Sequence, residues 1–126
     1  MTLMYALLWL LAAHFVADFV LQSNWMAQNK SKSNYALGAH VGVYTVVMAV
    51  AGFLVIGRLD LMNFEMYVAW VALNGALHFA TDFVTSRINA KLYATKRIHG
   101  FFVGIGADQL IHAWTLALTL DWLVYR

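Results

Sequence analysis

The chain has 126 residues, 63% of them hydrophobic and 11% charged, with no proline, no cysteine and a formal charge of +2. A soluble domain carries about a quarter charged residues, and one small core cannot hide this much apolar surface, so soluble globular, disordered, collagen-like and disulfide-stapled classes are excluded. Without cysteine, any bound metal must be held by nitrogen and oxygen ligands.

A helix needs about 20 mostly apolar residues to cross the hydrocarbon core. The first such window, residues 3–22, has no Lys or Arg before Lys30 and carries His14 and Asp18 inside its apolar run. Neither feature suits a cleaved leader. A polar stretch with Lys30 and Lys32 follows, then a second window, 36–57, which opens on Gly38 and Gly42 and carries His40. Beyond Arg58, the third window, 65–86, carries Asn74, His78 and Asp82. Residues 87–98 read as a short amphipathic helix, with Ile88 and Leu92 on one side and Arg87, Lys91 and Lys96 on another, lying on a leaflet and holding anionic head groups. His99 reads as a solvated surface residue. The fourth window, 101–124, begins beside Gly100 and Gly104 and carries Asp108, Gln109 and His112. Barrel strands span only about 9–11 residues, so windows of this length are helices. The expected fold is therefore all-α: a single integral membrane domain over 1–126, a four-helix transmembrane bundle.

Basic residues fix the expected orientation. Lys30 and Lys32 lie between windows one and two, and Arg87, Lys91, Lys96 and Arg97 between windows three and four, whereas only Arg58 and Arg126 fall on the other side. The positive-inside rule puts both basic loops in the cytoplasm and both termini outside. Tyr5, Tyr67, Trp122 and Tyr125 would then mark the outer interface, and Trp25, Tyr35 and Tyr93 the inner one.

The segment His14-Phe15-Val16-Ala17-Asp18-Phe19-Val20 returns as His78-Phe79-Ala80-Thr81-Asp82-Phe83-Val84, identical at five of seven positions. Each copy precedes a basic stretch and a window opening on two glycines four residues apart. The chain thus reads as two parallel repeats of a helix pair, with a shared site between the halves. The glycines are read as close-packing positions.

Seven ionisable residues lie well inside the windows: His14, Asp18, His40, His78, Asp82, Asp108 and His112. A carboxylate at mid-membrane costs about 2.5–3.5 kcal/mol on insertion scales, so three together need a cation, protons or a watery cavity. His14/Asp18, His78/Asp82 and Asp108/His112 are each four residues apart, which puts both side chains on one helix face. In the expected bundle all four helices bring these groups to one level in its cytoplasmic half. Helix bundles build metal sites from inward His and carboxylate ligands in this way. Imidazoles mixed with carboxylates suit Zn²⁺, Mn²⁺ or Fe²⁺ better than Ca²⁺ or Mg²⁺. Seven ligands suffice for one or two ions, and the charge of three aspartates slightly favours two. Gln22, Tyr44, Asn74 and Gln109 lie near these positions and can orient them by hydrogen bonds.

The expected activity is hydrolysis by metal-activated water on a lipid or a phosphorylated head group, with no single aspartate marked as the base. The alternatives are a metal-ion or proton transporter or channel subunit, which four short helices would build as a homo-oligomer, and an accessory or phage interaction protein with a structural metal site. Membrane lipids are the expected partners, and nothing beyond a few charges speaks for nucleic acid. No nucleotide-binding loop, serine nucleophile elbow or redox cysteine motif is present. Haem suits this set less well, because aspartates one turn from the histidines favour a harder ion.

The series His14-x-x-x-Asp18-Phe19-x-x-Gln22, Trp25-Met26-Ala27-x-Asn29-Lys30, isolated His40, His78-x-x-x-Asp82 and Asp108-Gln109-x-x-His112 resembles the small bacterial and phage membrane proteins grouped as domain of unknown function 3307. The resemblance covers almost the whole chain. It implies an integral protein of the bacterial inner membrane and brings no activity, substrate or metal. Small membrane-bound metal-dependent hydrolases are similar in architecture only.

Overall fold

Hydroxyl side chains set where the first three helices begin. Thr2 accepts from the Tyr5 amide at 3.4 Å and opens α1 (Leu3–Phe15). Ser23 accepts from Met26 at 3.2 Å and opens α2 (Asn24–Asn29), and Ser33 accepts from Ala36 at 3.3 Å and opens α3 (Asn34–Ile56). Each satisfies an amide that the first helical turn leaves unpaired. Two longer helices follow, α4 (Phe64–Ala94) and α5 (Ile98–Val124). The computed structural model describes residues 2–58 and 64–125, and among these there is no strand. Most of the expected link 58–64, and Arg126 with its contribution to the charge asymmetry, lie outside the described residues.

The first window departs from a plain helix at its end. Val16–Val20 forms one π-helical turn, closed by the Leu21 amide donating to Val16 O at 2.9 Å. Such turns concentrate at functional sites, and this one carries Asp18. The stretch expected as a polar loop after it contains α2, a helix that the Ser23-Asn24 start already signals.

The amphipathic segment expected as a separate helix on the leaflet is a continuation of α4. No glycine or proline interrupts residues 76–94, and the Arg87 guanidinium ties this part of α4 to α3 by bonding Asn34 Oδ1 at 2.8 Å while lying 3.8 Å over the Phe83 ring. The 31 residues of α4 span about 46 Å, more than the roughly 30 Å of a hydrocarbon core. The helix stops in a Schellman turn: Arg97 N donates to Leu92 O at 2.9 Å and Lys96 N to Tyr93 O at 3.0 Å, with Lys96 in the left-handed region at φ 57°.

Among the described residues, three helical stretches are long and apolar enough to cross a membrane: Leu3–Val20, Asn34–Ile56 and Ile98–Val124. Helix α4, over the third window, falls short of that measure, because its apolar run is interrupted by Asn74, His78 and Asp82. The distribution of polarity fits membrane association. Exposed positions include Leu8, Trp9, Val50, Phe53, Trp114 and Leu118, while His14, Asp18, His40, His78, Asp82 and His112 are buried. In water such apolar exposure would be an aggregation hazard; in lipid it is the solvated face.

Helix α1 packs on α3, α3 on α4, α4 on α5, and α5 back on α1. The interior between them has two levels. One holds an apolar core that includes Leu10, Met48, Ile56, Trp70, Leu116 and Leu120; the other holds the buried histidines and aspartates. Between the levels, Thr119 Oγ1 accepts from Trp70 Nε1 at 3.2 Å and from Asn74 Nδ2 at 3.1 Å, pinning α4 to α5. Interhelical bonds of this kind contribute about 0.6 kcal/mol each in membranes.

The glycines divide by half. A Cβ on Gly104 would collide with Asn89 Oδ1, and one on Gly100 would touch Leu92 at 3.4 Å, so both sit where α5 meets α4. Gly38 and Gly42 are exposed with nothing near, and the close approach of α3 to α4 is made instead at Gly52, beneath Trp70, and at Gly75, against Thr45. Gly38 and Gly42 thus make no close-packing contact within the chain.

A β-carbon in the left-handed region costs about 1 kcal/mol that glycine avoids. Lys96→Gly is therefore expected to raise the thermal unfolding midpoint in detergent by a few degrees, and Lys96→Val to lower it.

Candidate metal centre

The helix repeat of 3.6 residues carries the site. His14 and Asp18, His78 and Asp82, and Asp108 and His112 each present one face of their helix to the interior, and His40 comes from the second turn of α3. All are buried except Asp108, which is half-buried.

Two groups form, with Asp18 common to both: Asp18, His40, His78 and Asp82, and Asp18, Asp108 and His112. The first group has a telling geometry. His40 Nε2 lies 3.0 Å from Asp18 Oδ1 and 3.2 Å from Asp82 Oδ2; His78 Nε2 lies 3.3 Å from the same Asp18 oxygen, 3.7 Å from the same Asp82 oxygen and 3.3 Å from His40 Nε2. Ligand atoms bonded at about 2.0–2.1 Å to a tetrahedral ion stand roughly 3.3 Å apart. Five edges of a tetrahedron are therefore close to the lengths a zinc-sized ion requires. A direct contact between two ring nitrogens is a poor hydrogen bond when both also face carboxylates, and a natural edge between two metal ligands.

The second group stands beside the first. His112 Nε2 is 3.5 Å from Asp108 Oδ1 and 3.0 Å from Asp82 Oδ1, so Asp82 offers one oxygen to each side. Gln109 bridges two carboxylates, its Nε2 donating to Asp18 Oδ2 at 2.9 Å and to Asp108 Oδ2 at 3.1 Å. Thr85 donates to Asp108 Oδ1.

The remaining expected residues take different places. His14 belongs to neither group: its Nε2 stands 3.2 Å from Gln109 Oε1 and 3.6 Å from Asp18 Oδ2. Tyr44 acts by its ring, stacked on His78 with centroids 3.8 Å apart. Asn74 bonds Trp70 O and Thr119, one helical turn from His78 and away from the centre. Gln22 lines the cavity described below, and no hydrogen-bond partner for its Oε1 is found among the described residues.

Lys30, an orientation signal in the sequence, also reaches this cluster. Its Nζ donates to Asp82 Oδ2 at 3.0 Å, reaching in from the residue that ends α2. The signal available in the sequence was the short Ser23-capped helix, which turns the chain back over the interior. A cavity of about 710 Å³ opens here, lined by Asp18, Asp82, Asp108 and Gln109, by Lys30 and Lys32, and by the apolar Phe19, Tyr93 and Phe101.

The donor set fits a divalent ion of zinc, manganese or iron type. Two imidazoles with two carboxylates make a closed tetrahedral position, whereas the three-ligand group leaves a coordination position free. With neutral imidazoles, three carboxylates against Lys30 leave two negative charges, which one divalent ion neutralises. Burying such charge without a compensating cation is strongly unfavourable.

Over residues 6–125 the chain matches the family described as Protein of unknown function (DUF3307). The chain belongs to that family. No curated protein and no solved structure matches it.

Because Asp18 serves both groups and Asp108 only one, the two should separate on substitution. Asp18→Asn is expected to abolish metal uptake, while Asp108→Asn keeps the ion of the four-residue group. Elemental analysis of the purified proteins after reconstitution reads the difference.

Proposed function

We propose that this is an integral membrane protein holding one or two divalent ions near the cytoplasmic face, and that it is a metal-dependent hydrolase acting on a lipid or phosphorylated head group. The observation that carries this reading is the near-tetrahedral convergence of Asp18 Oδ1, His40 Nε2, His78 Nε2 and Asp82 Oδ2 beside an open cavity. Beside it, Asp18, Asp108 and His112 leave a coordination position free, and an ion held there would lower the pKa of bound water to near 7 and stabilise charge on a phosphoryl oxygen. The protein's own part is orientation. Gln109 holds Asp18 and Asp108, Tyr44 fixes the plane of His78, and the helices keep bulk water to one side. The half-buried Asp108 faces the cavity and is the carboxylate best placed to take a proton from attacking water.

The four long helices are read as a transmembrane bundle, α4 crossing because it is held between α3 and α5, both of which are apolar enough to span. The two His-x-x-x-Asp copies meeting in one cluster support two parallel helix-pair repeats. Passage of an ion or proton is the weaker reading. Leu10, Met48, Leu116 and Leu120 are fully packed next to the cluster, which argues for a site with one entrance.

Two experiments test the reading. Single-cysteine variants are clean reporters in a chain without native cysteine. A cysteine at Lys32 should be labelled by an impermeant maleimide only from the cytoplasmic side and one at Glu65 only from outside. For activity, protein loaded with zinc, manganese or iron is expected to release phosphate from a phosphatidic acid or a prenyl phosphate. Asp82→Asn should reduce that rate by about 10²–10³-fold, as loss of electrostatic stabilisation at a reaction centre does.

A further inference from the structure

The Lys30 ammonium occupies a position that the metal centre cannot leave undisturbed. Asp82 Oδ2, the oxygen it bonds at 3.0 Å, is the one facing His40 at 3.2 Å and His78 at 3.7 Å. An ion bonded to that oxygen would stand within a few ångströms of a second positive charge, so Lys30 and the metal compete for it. The lysine can move. Its side chain is 19% exposed, hangs on a flexible four-carbon stem and lines the cavity.

What it would meet there is decisive. Among the described residues lining the cavity the only carboxylates are Asp18, Asp82 and Asp108, all three of them in the two metal-binding groups. The remaining polar lining is neutral or basic: Gln22, Ser86 and Asn89 each bring a buried oxygen with no partner among the described residues, and Lys32 adds charge. With both groups occupied, a displaced Lys30 therefore has no free carboxylate in the cavity lining to pair with. Three carboxylates against Lys30 and two divalent ions leave two positive charges, the complement of a phosphate monoester dianion.

We propose that Lys30 is the anion-binding residue of this centre: it pairs with Asp82 until a metal ion takes that oxygen, and then holds the phosphoryl group of a ligand in the cavity. The proposal rests on the metal-centre reading above and deepens it. It gives Lys30 a binding role and makes metal and phosphoryl ligand bind cooperatively. Phe19, Tyr93 and Phe101 on the cavity wall give an apolar tail a place beside the phosphate.

The test uses the full chain in detergent, titrated with zinc or manganese alone, then with inorganic phosphate or dihexanoyl phosphatidic acid, for wild type, Lys30→Met, Lys30→Arg and Lys32→Met. Lys30→Met should bind metal about tenfold more tightly in the absence of phosphate, since a competing cation is gone, and bind either phosphoryl ligand about tenfold more weakly once loaded with metal. Lys30→Arg should restore phosphoryl binding, and Lys32→Met should change metal affinity little. Tighter binding of the phosphatidic acid than of inorganic phosphate marks a lipid as the source of the phosphoryl group; equal binding marks a free phosphate. Unchanged or weaker metal binding by Lys30→Met, or unchanged phosphoryl binding by its loaded form, overturns the role of Lys30 alone. Failure of every protein, wild type included, to take up metal overturns the centre itself.

Discussion

Three carboxylates placed in the interior of an apolar helical protein must be matched by positive charge, and that requirement organises the molecule. Asp18, Asp82 and Asp108 come from three different segments and meet four imidazoles and one ammonium. The apolar level of the interior does the opposite work. Trp70 over Gly52, Thr45 against Gly75 and the packed Leu10, Met48, Leu116 and Leu120 fix how far apart the helices stand. Lipid gives helices no hydrophobic reason to associate, so close packing and interhelical hydrogen bonds must hold that spacing. The spacing in turn sets the distances between ligand atoms on the polar level. A centre whose edges are correct to a few tenths of an ångström depends on a rigid neighbour of this kind.

Sharing is the second principle of the site. Asp18 sends one oxygen to His40 and His78 and the other to Gln109 and His14, while Asp82 sends one to His40, His78 and Lys30 and the other to His112. Each of these aspartates therefore couples the two halves of the cluster. Asp18 itself lies in the π-helical turn. The chemistry and the packing meet at this turn, the one described stretch where the α-helical pattern gives way to π geometry.

Much of this was legible in the residues, for identifiable reasons. An i, i+4 pair faces one way whatever surrounds the helix, so His14/Asp18, His78/Asp82 and Asp108/His112 could be grouped without a structure. Counting residues from the basic loops placed the groups at one depth, which the cluster reflects. Lys30 could not be found in this way, because its reach depends on where the capped α2 turns the chain, a tertiary fact. The end of α4 was equally hidden. Ile88 and Leu92 make the same apolar stripe on a separate surface helix as on an extension of a longer one, and tertiary contacts such as Arg87 to Asn34 and Asn89 beside Gly104 distinguish them. The glycine pairs looked alike in sequence, yet Gly104 meets Asn89 while Gly38 and Gly42 face outward, since four-residue spacing does not say which face is turned inward.

The central claim is that imidazole nitrogens and aspartate oxygens together bind an ion. X-ray absorption spectroscopy of the zinc-loaded protein in detergent tests it most directly. The account predicts a first shell of mixed nitrogen and oxygen at about 2.0–2.2 Å, with the outer-shell scattering of two imidazole rings that His40→Ala removes in part. A shell of oxygen alone without imidazole scattering, or one that His40→Ala leaves unchanged, would contradict it.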